Sequence, residues 1–322
     1  MKTLFVSSAA ALVLMAMATE AQASPCVQVQ INSGSLNLHY DPFSPGTLQQ
    51  TFTLRVRRTS PNIRAANIVL VDTDSTGSNH QLGHRGPRGY TITQAEGNLR
   101  AVLVSGAEQP NRTNGVAINF ANGAQNDVET VNLTFTLPAG RDVRAGQFTE
   151  DLEARFFCVL ANRDITPIES QTNNGLRLDL TVPEKISTYI GSAGTRRGQI
   201  NLGTLDTRSP TVRPLAITAQ TTVAYDMQME TSRGQLRRRD DDSYGIPYAM
   251  TLDNRPVSDG SVMQCPRTPV PAGRTHTLQV AVQPQDVRAV PAGNYSDVVT
   301  LTFVPRSGLA RSRTCALSNQ GA

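Results

Sequence analysis

The stretch "DVRAVPAGNYSDVVTLTF" spans residues 286–303, and its second half alternates: Val299, Leu301 and Phe303 fall on one face, Thr300 and Thr302 on the other. A period of two, entered from a Pro-Ala-Gly-Asn turn at 291–294, is the pattern of a half-buried β-strand. Nearly the same phrase stands earlier, "DVRAGQFTEDLEARFF" at 142–157, with Phe148, Leu152, Ala154 and Phe156 in the apolar positions. Side chains of this kind at this spacing form a core, not a catalytic set.

The repetition extends outward from that phrase. "INSGSLNL" (31–38) is echoed by "INLGTLDT" (200–207), which aligns Ile31 with Ile200, Gly34 with Gly203 and Leu36 with Leu205. "LTFTLPAGRDVRA" (133–145) is echoed by "LQVAVQPQDVRA" (278–289). Because the order is kept, the chain reads as two homologous units, 24–185 and 186–322, with a seam around "VPEKISTYIGSAG" (182–194). Further alternating segments, such as "QTFTLRVRR" (50–58), "NIVLVDTD" (67–74) and "THTLQVAVQP" (275–284), are bounded by Pro, Gly and Asn. The predicted class is all-β, with two immunoglobulin-like antiparallel β-sandwiches in tandem.

The first 23 residues carry Lys2, an apolar run and an Ala-x-Ala site at Ala21–Ala23, the pattern of a secretory signal peptide. No later stretch is long and apolar enough to span a bilayer, so export without membrane insertion is expected. In an oxidising compartment Cys26, Cys158, Cys265 and Cys315 read as two disulfides. Three connectivities are open, and folding of each unit by itself selects Cys26–Cys158 and Cys265–Cys315.

The formal charge of +4 comes almost entirely from scattered arginine, since lysine stands only at Lys2 and Lys185. The one cluster, Arg237–Arg239, runs into Asp240–Asp242 and reads as a self-neutralising hairpin tip, so no nucleic-acid partner is expected. "DTDSTG" (72–77) matches the start of a calcium loop but has Gly83 where the twelfth-position glutamate should stand. His80 and His84 lie four apart in a Gly-rich loop, a spacing that carries no facing geometry there, and His276 reads as a sheet-surface residue. Neither a metal nor another cofactor is expected. No hydrolase motif is present, and the chain is not read as an enzyme.

The phrase "PAGNYSDVVTLTF" (291–303), with "INLGTLDT" at the start of the second unit, resembles the spore coat protein U domain, which includes subunits of archaic (Csu-type) chaperone–usher pili. The resemblance implies incomplete immunoglobulin-like sandwiches that lack the last strand. A periplasmic chaperone, and then the adjacent pilin subunit, supplies that strand by β-augmentation, and an outer-membrane usher passes the subunit outward. It further implies a groove in the second unit lined by Ile200, Leu202, Leu205, Val299, Leu301 and Phe303. The first unit would close itself with "GLRLDLTVP" (175–183). Little sequence precedes Cys26 after the signal, so no donor extension is expected, and the chain reads as a tip or minor subunit at the cell surface.

Its candidate receptor loop holds His80, His84, Arg88 and Tyr90 and is polar and basic, which suits a polar receptor. The tail "RSGLARSRTCALSNQGA" (306–322) departs from the family pattern. Tied to Cys265 it leaves the groove open; lying in the groove it makes the second unit self-sufficient. The alternative function is then a self-contained secreted coat or matrix protein, with an exported carbohydrate-binding or enzymatic sandwich as a third reading.

Overall fold

The computed structural model describes residues 25–75, 77–95, 100–121, 126–171, 177–268, 270–306 and 313–318; the signal peptide expected over 1–23 lies outside them. Along the N-terminal half run β1 (Val27–Ile31), β2 (Ser35–His39), β3 (Leu48–Arg58), β4 (Ile63–Asp72), β5 (Thr91–Gln94) and β6 (Leu103–Ser105). They are followed by β7 (Val116–Asn119), β8 (Val128–Leu137), β9 (Gly146–Asp151), β10 (Glu153–Leu160), β11 (Glu169–Gln171) and β12 (Arg177–Val182). The C-terminal half begins with β13 (Ile186–Ile190), β14 (Thr211–Thr221), β15 (Ala224–Thr231), β16 (Gln235–Arg238), β17 (Gly245–Pro247) and β18 (Ala249–Leu252). It continues with β19 (Arg255–Val257), β20 (Val262–Cys265), β21 (Arg274–Val282), the short helix α1 (Pro284–Arg288), β22 (Tyr295–Ser296), β23 (Val299–Arg306) and β24 (Ala316–Leu317). The chain is all-β, as its periodicity predicts.

In the N-terminal half the sheet β1-β3-β8-β5 faces the sheet β11-β10-β4-β6. Alternation decides what lies between them: Val29, Leu54, Val56 and Phe135 from one side meet Ile68, Leu70 and Phe156 from the other, each at most 1% exposed. Burying a side chain of this size contributes about 1.5–3 kcal/mol. A third sheet, β2-β12-β9, closes the flank. Most pairs are antiparallel, but β12 runs parallel to β2, and β6 parallel to β4. The segment β9–β10 breaks at Leu152 and changes partners there, β9 pairing with β12 and β10 with β4 and β11.

In the C-terminal half β13-β14-β21-β18-β19 packs on β23-β15-β20-β24, with Ile217, Leu278 and Val280 against Tyr225, Met227 and Met263. The Arg237–Asp242 run is the β16–β17 hairpin, and Arg238 pairs there with Asp240. His276 is not a surface residue. The inward register of β21 that buries Leu278 and Val280 buries His276 as well, at 0% exposed. Its two ring nitrogens share hydrogen bonds with the Tyr225 hydroxyl (2.6 Å) and Asp253 Oδ2 (2.7 Å), which removes the cost of burying the ring.

Disulfides join Cys26 to Cys158 and Cys265 to Cys315. The halves meet through Arg267 on Asp142, a bond from the Ala145 N–H to the Thr222 carbonyl (2.9 Å), and one from the Thr222 hydroxyl to the Pro183 carbonyl (2.8 Å).

Candidate functional site

The internal repeat allows the two halves to be compared position by position, and the comparison locates an open edge. In the N-terminal half β11 and β12 run antiparallel along β10 and β9: Phe156 lies opposite Glu169, Ala154 opposite Gln171, Leu178 opposite Glu150 and Leu180 opposite Phe148. On its other side β12 sets Leu178 beside Leu36 and Leu180 beside Leu38. Leu178, Leu180 and Val182 thereby seal the flank, and Phe148, Leu152, Ala154 and Phe156 are at most 4% exposed.

Their counterparts in the C-terminal half are Tyr295, Val299, Leu301 and Phe303. All four point at the core and all four are only half-buried. The cause is topological. β23 pairs with β15 alone and β22 with β16 alone, and among the described residues no strand is hydrogen-bonded to their other edge. The counterpart of β2, residues 204–207, forms no strand, and Leu205 there is half-buried. Ile200 and Leu202, just before it, are also half-buried and pack on the same core with Ile186 and Ile190 of β13. Of the six residues expected to line a groove, Ile200, Leu202, Val299, Leu301 and Phe303 pack half-buried on one core, and Leu205 packs with Leu202 and Tyr295 against Leu236, Ile246 and Val282. An unpaired strand edge beside half-covered apolar side chains is a template for another strand.

The tail does not fill this edge within its described part. β24 pairs antiparallel with β20, with Met263 opposite Leu317, at the far side of the sheet from β23. The Cys265–Cys315 bridge holds it there. Residues 307–312 and 319–322 lie outside the described part.

The loop from Asp72 to Tyr90 requires a correction. Tyr90 and His80 are 0% and 4% exposed, so neither is available to a receptor. The loop folds back over β8: the Tyr90 ring stacks on Phe135 at 5.5 Å, and Leu82 is fully buried. His80 Nδ1 lies 3.2 Å from Asp72 Oδ2. His84 and Arg88 remain exposed and line a concavity with Glu150. At the start of "DTDSTG", residues 72–75 form a strand-end turn, in which Asp72 accepts from the Asp74 N–H at 3.2 Å.

Sequence reading also missed Ile165 and Ile168, which are 51% and 49% exposed in the loop between β10 and β11. Their loop is strapped to Cys158 by Thr166, and the only signal for it was two isoleucines standing outside any alternating run. Among the described residues the one His/Cys/Asp/Glu group with ligand atoms within 4.8 Å of one another is Cys265, His276 and Cys315, and its two sulfurs form the disulfide. No described helix is long and apolar enough to cross a membrane.

No family model and no curated protein matches the chain. Among solved structures it is similar to the CsuC–CsuE chaperone–tip adhesion subunit pre-assembly complex of Acinetobacter baumannii, at 14% identity and a TM-score of 0.42, covering 86% of this chain and 99% of that one. The CFA/I adhesin CfaE of enterotoxigenic Escherichia coli matches at 12% identity and a TM-score of 0.36, over 85% of this chain and 93% of that one. The CooA pilin subunit, also from enterotoxigenic Escherichia coli, matches at 14% identity and a TM-score of 0.30, over 49% of this chain and 97% of that one. No function is inferred from likenesses of this strength.

Proposed function

We propose that the protein is an exported tip or minor subunit of a chaperone–usher pilus, in which residues 24–185 form a binding domain and residues 186–322 a pilin domain that accepts a donor strand. One observation carries this reading. The edge of β22–β23 is open and half-covers Val299, Leu301 and Phe303, whereas the homologous edge in the other half is sealed by the chain's own β11 and β12. The mechanism is completion of a fold, not catalysis. An incoming strand satisfies the amides of the edge and covers the half-buried apolar side chains, so the free energy comes from backbone pairing and apolar burial together.

The repeat also supplies the register of the incoming strand. By analogy with Leu178 and Leu180, two of its inward side chains fall beside Leu205 and Thr207 on one side, and beside Asp297 and Tyr295 on the other. The strand is expected first from a periplasmic chaperone and then from the adjacent pilin subunit, with an outer-membrane usher as the assembly partner.

Periplasmic expression of the full chain, alone and together with its cognate chaperone, tests this. The expected result is a stable one-to-one complex and a large gain in soluble protein. A monomer that accumulates equally well alone, with β23 amides protected from hydrogen exchange, sinks the reading in favour of a self-contained coat protein.

A further inference from the structure

A second concavity lies in the N-terminal half, beside β9, the edge strand of the sheet β2-β12-β9. It has a volume of about 510 Å³ between the 72–90 loop and β9, and its walls include Asp74, Asn79, Gln81, His84, Arg88 and Glu150. The floor is buried. Asp72, 1% exposed, is held by His80 and by the Asp74 N–H, and Glu150, 6% exposed, accepts the Gly83 N–H at 2.8 Å. Gly83 sits at φ +61°, and a Cβ there would come within 2.6 Å of the Thr149 carbonyl oxygen, so the loop lies directly on β9. Beneath the floor the fully buried Tyr90 places its hydroxyl in the field of both Asp72 and Glu150, yet that hydroxyl has no hydrogen-bond partner among the described residues.

Physical chemistry narrows what such a cavity can hold. Its volume falls within the range of about 300–1,000 Å³ that small-molecule sites occupy. No large apolar or aromatic side chain lines it, so an apolar ligand would gain little by entering. Asp72 and Asp74, with Glu150 ionised in part near neutral pH, outweigh the single Arg88, which disfavours an anion. A metal ion is disfavoured as well, because these carboxylates do not converge to ligand distance, and Arg88 stands in the same wall. A neutral molecule with many hydroxyl groups suits what remains: carboxylates that accept, a guanidinium that donates, and amides that do both.

We propose that this cavity is a binding site for an uncharged saccharide of one or two rings. Glu150 and Asp74 accept hydroxyl protons, Asn79 and Gln81 bond through their amides, and Arg88, whose Nε now donates to Gln81 Oε1 at 2.8 Å, closes the rim. The assignment rests on reading the N-terminal half as the binding domain, and it gives that domain a ligand class.

The test applies the full-length protein to an array of neutral, sialylated and sulfated glycans, with parallel titrations of calcium chloride and spermidine. Neutral glycans are expected to bind, and Asn79→Ala and Arg88→Ala each to weaken binding tenfold or more. Glu150→Gln should do the same. If that buried variant fails to fold, the two exposed positions carry the test. Absence of glycan binding, retention of only sialylated or sulfated glycans, a response to calcium or spermidine alone, or unchanged binding by Asn79→Ala and Arg88→Ala overturns the proposal. Strand binding to the β23 edge, measured on the same preparation, is independent of these readouts. Its failure alongside glycan binding removes the pilus reading and leaves this site standing.

Discussion

Replacing Leu301 by alanine, with Leu180→Ala as the reference, compares the open groove with the closed one. Leu180 lies on β12 and is 1% exposed, so its truncation leaves a closed cavity and should cost about 2–5 kcal/mol. Leu301 points at the core but is half-buried on an unpaired edge strand. Only the covered part of its side chain loses transfer energy, and the space it vacates opens to water, so the cost should be about 1 kcal/mol.

The difference should vanish when the groove is occupied. A peptide with the sequence of residues 175–183, which contains the sealing strand β12 (Arg177–Val182), is the natural probe. At a concentration 100-fold above its dissociation constant it should stabilise the chain by about 2.7 kcal/mol through mass action. With the peptide bound, Leu301 becomes covered, and Leu301→Ala should then cost about as much as Leu180→Ala. Urea unfolding of the three proteins, with and without peptide, measures all of these quantities. Equal costs for the two substitutions without peptide, or no response to peptide at any concentration, would show that the groove is already filled and that the reasoning fails.

Other consequences can be checked separately. Burial pushes the Glu150 carboxyl from 4.5 up to about 7; neighbouring Asp72, Asp74 and Asp151 add to this, and the Gly83 N–H opposes it. The folded protein therefore holds that proton more tightly than the unfolded chain, so this contribution to stability is complete below pH 4.5 and is lost as the pH rises through about 7. Glu150→Gln should flatten the fall in Tm between pH 5 and 8, and identical slopes would count against the assignment. Replacing Cys265 and Cys315 by alanine, a bridge with a sequence separation of 50, should cost about 4 kcal/mol by loop entropy, measured by urea unfolding. The same treatment should free the β24 tail, visible as faster amide exchange at Leu317. His276→Phe should cost about 1–3 kcal/mol, because it leaves the buried Tyr225 hydroxyl without its partner; an unchanged Tm would show that a water takes over.

Much of the fold was legible in the residues alone. Alternation assigned the class, and the inward positions Phe148, Leu152, Ala154 and Phe156 are all buried. Other features were not legible. His276 alternates in step with Leu278 and Val280, but its burial depends on Tyr225 and Asp253, 51 and 23 residues away. Tyr90 and His80 stand in a polar, Gly-rich segment, and only the packing of that segment on β8 and β9 shows them to be interior.

By itself, then, the sequence determined which side of each strand faces inward, because side-chain direction is a local property of the backbone with a period of two. Only the tertiary structure decided how completely that inward side is covered, because coverage depends on which distant segment lies across it. Val299, Leu301 and Phe303 have the same pattern as their sealed counterparts Leu152, Ala154 and Phe156. What separates the two sets is the presence of β11 and β12 along one edge and, among the described residues, the absence of any such strand along the other.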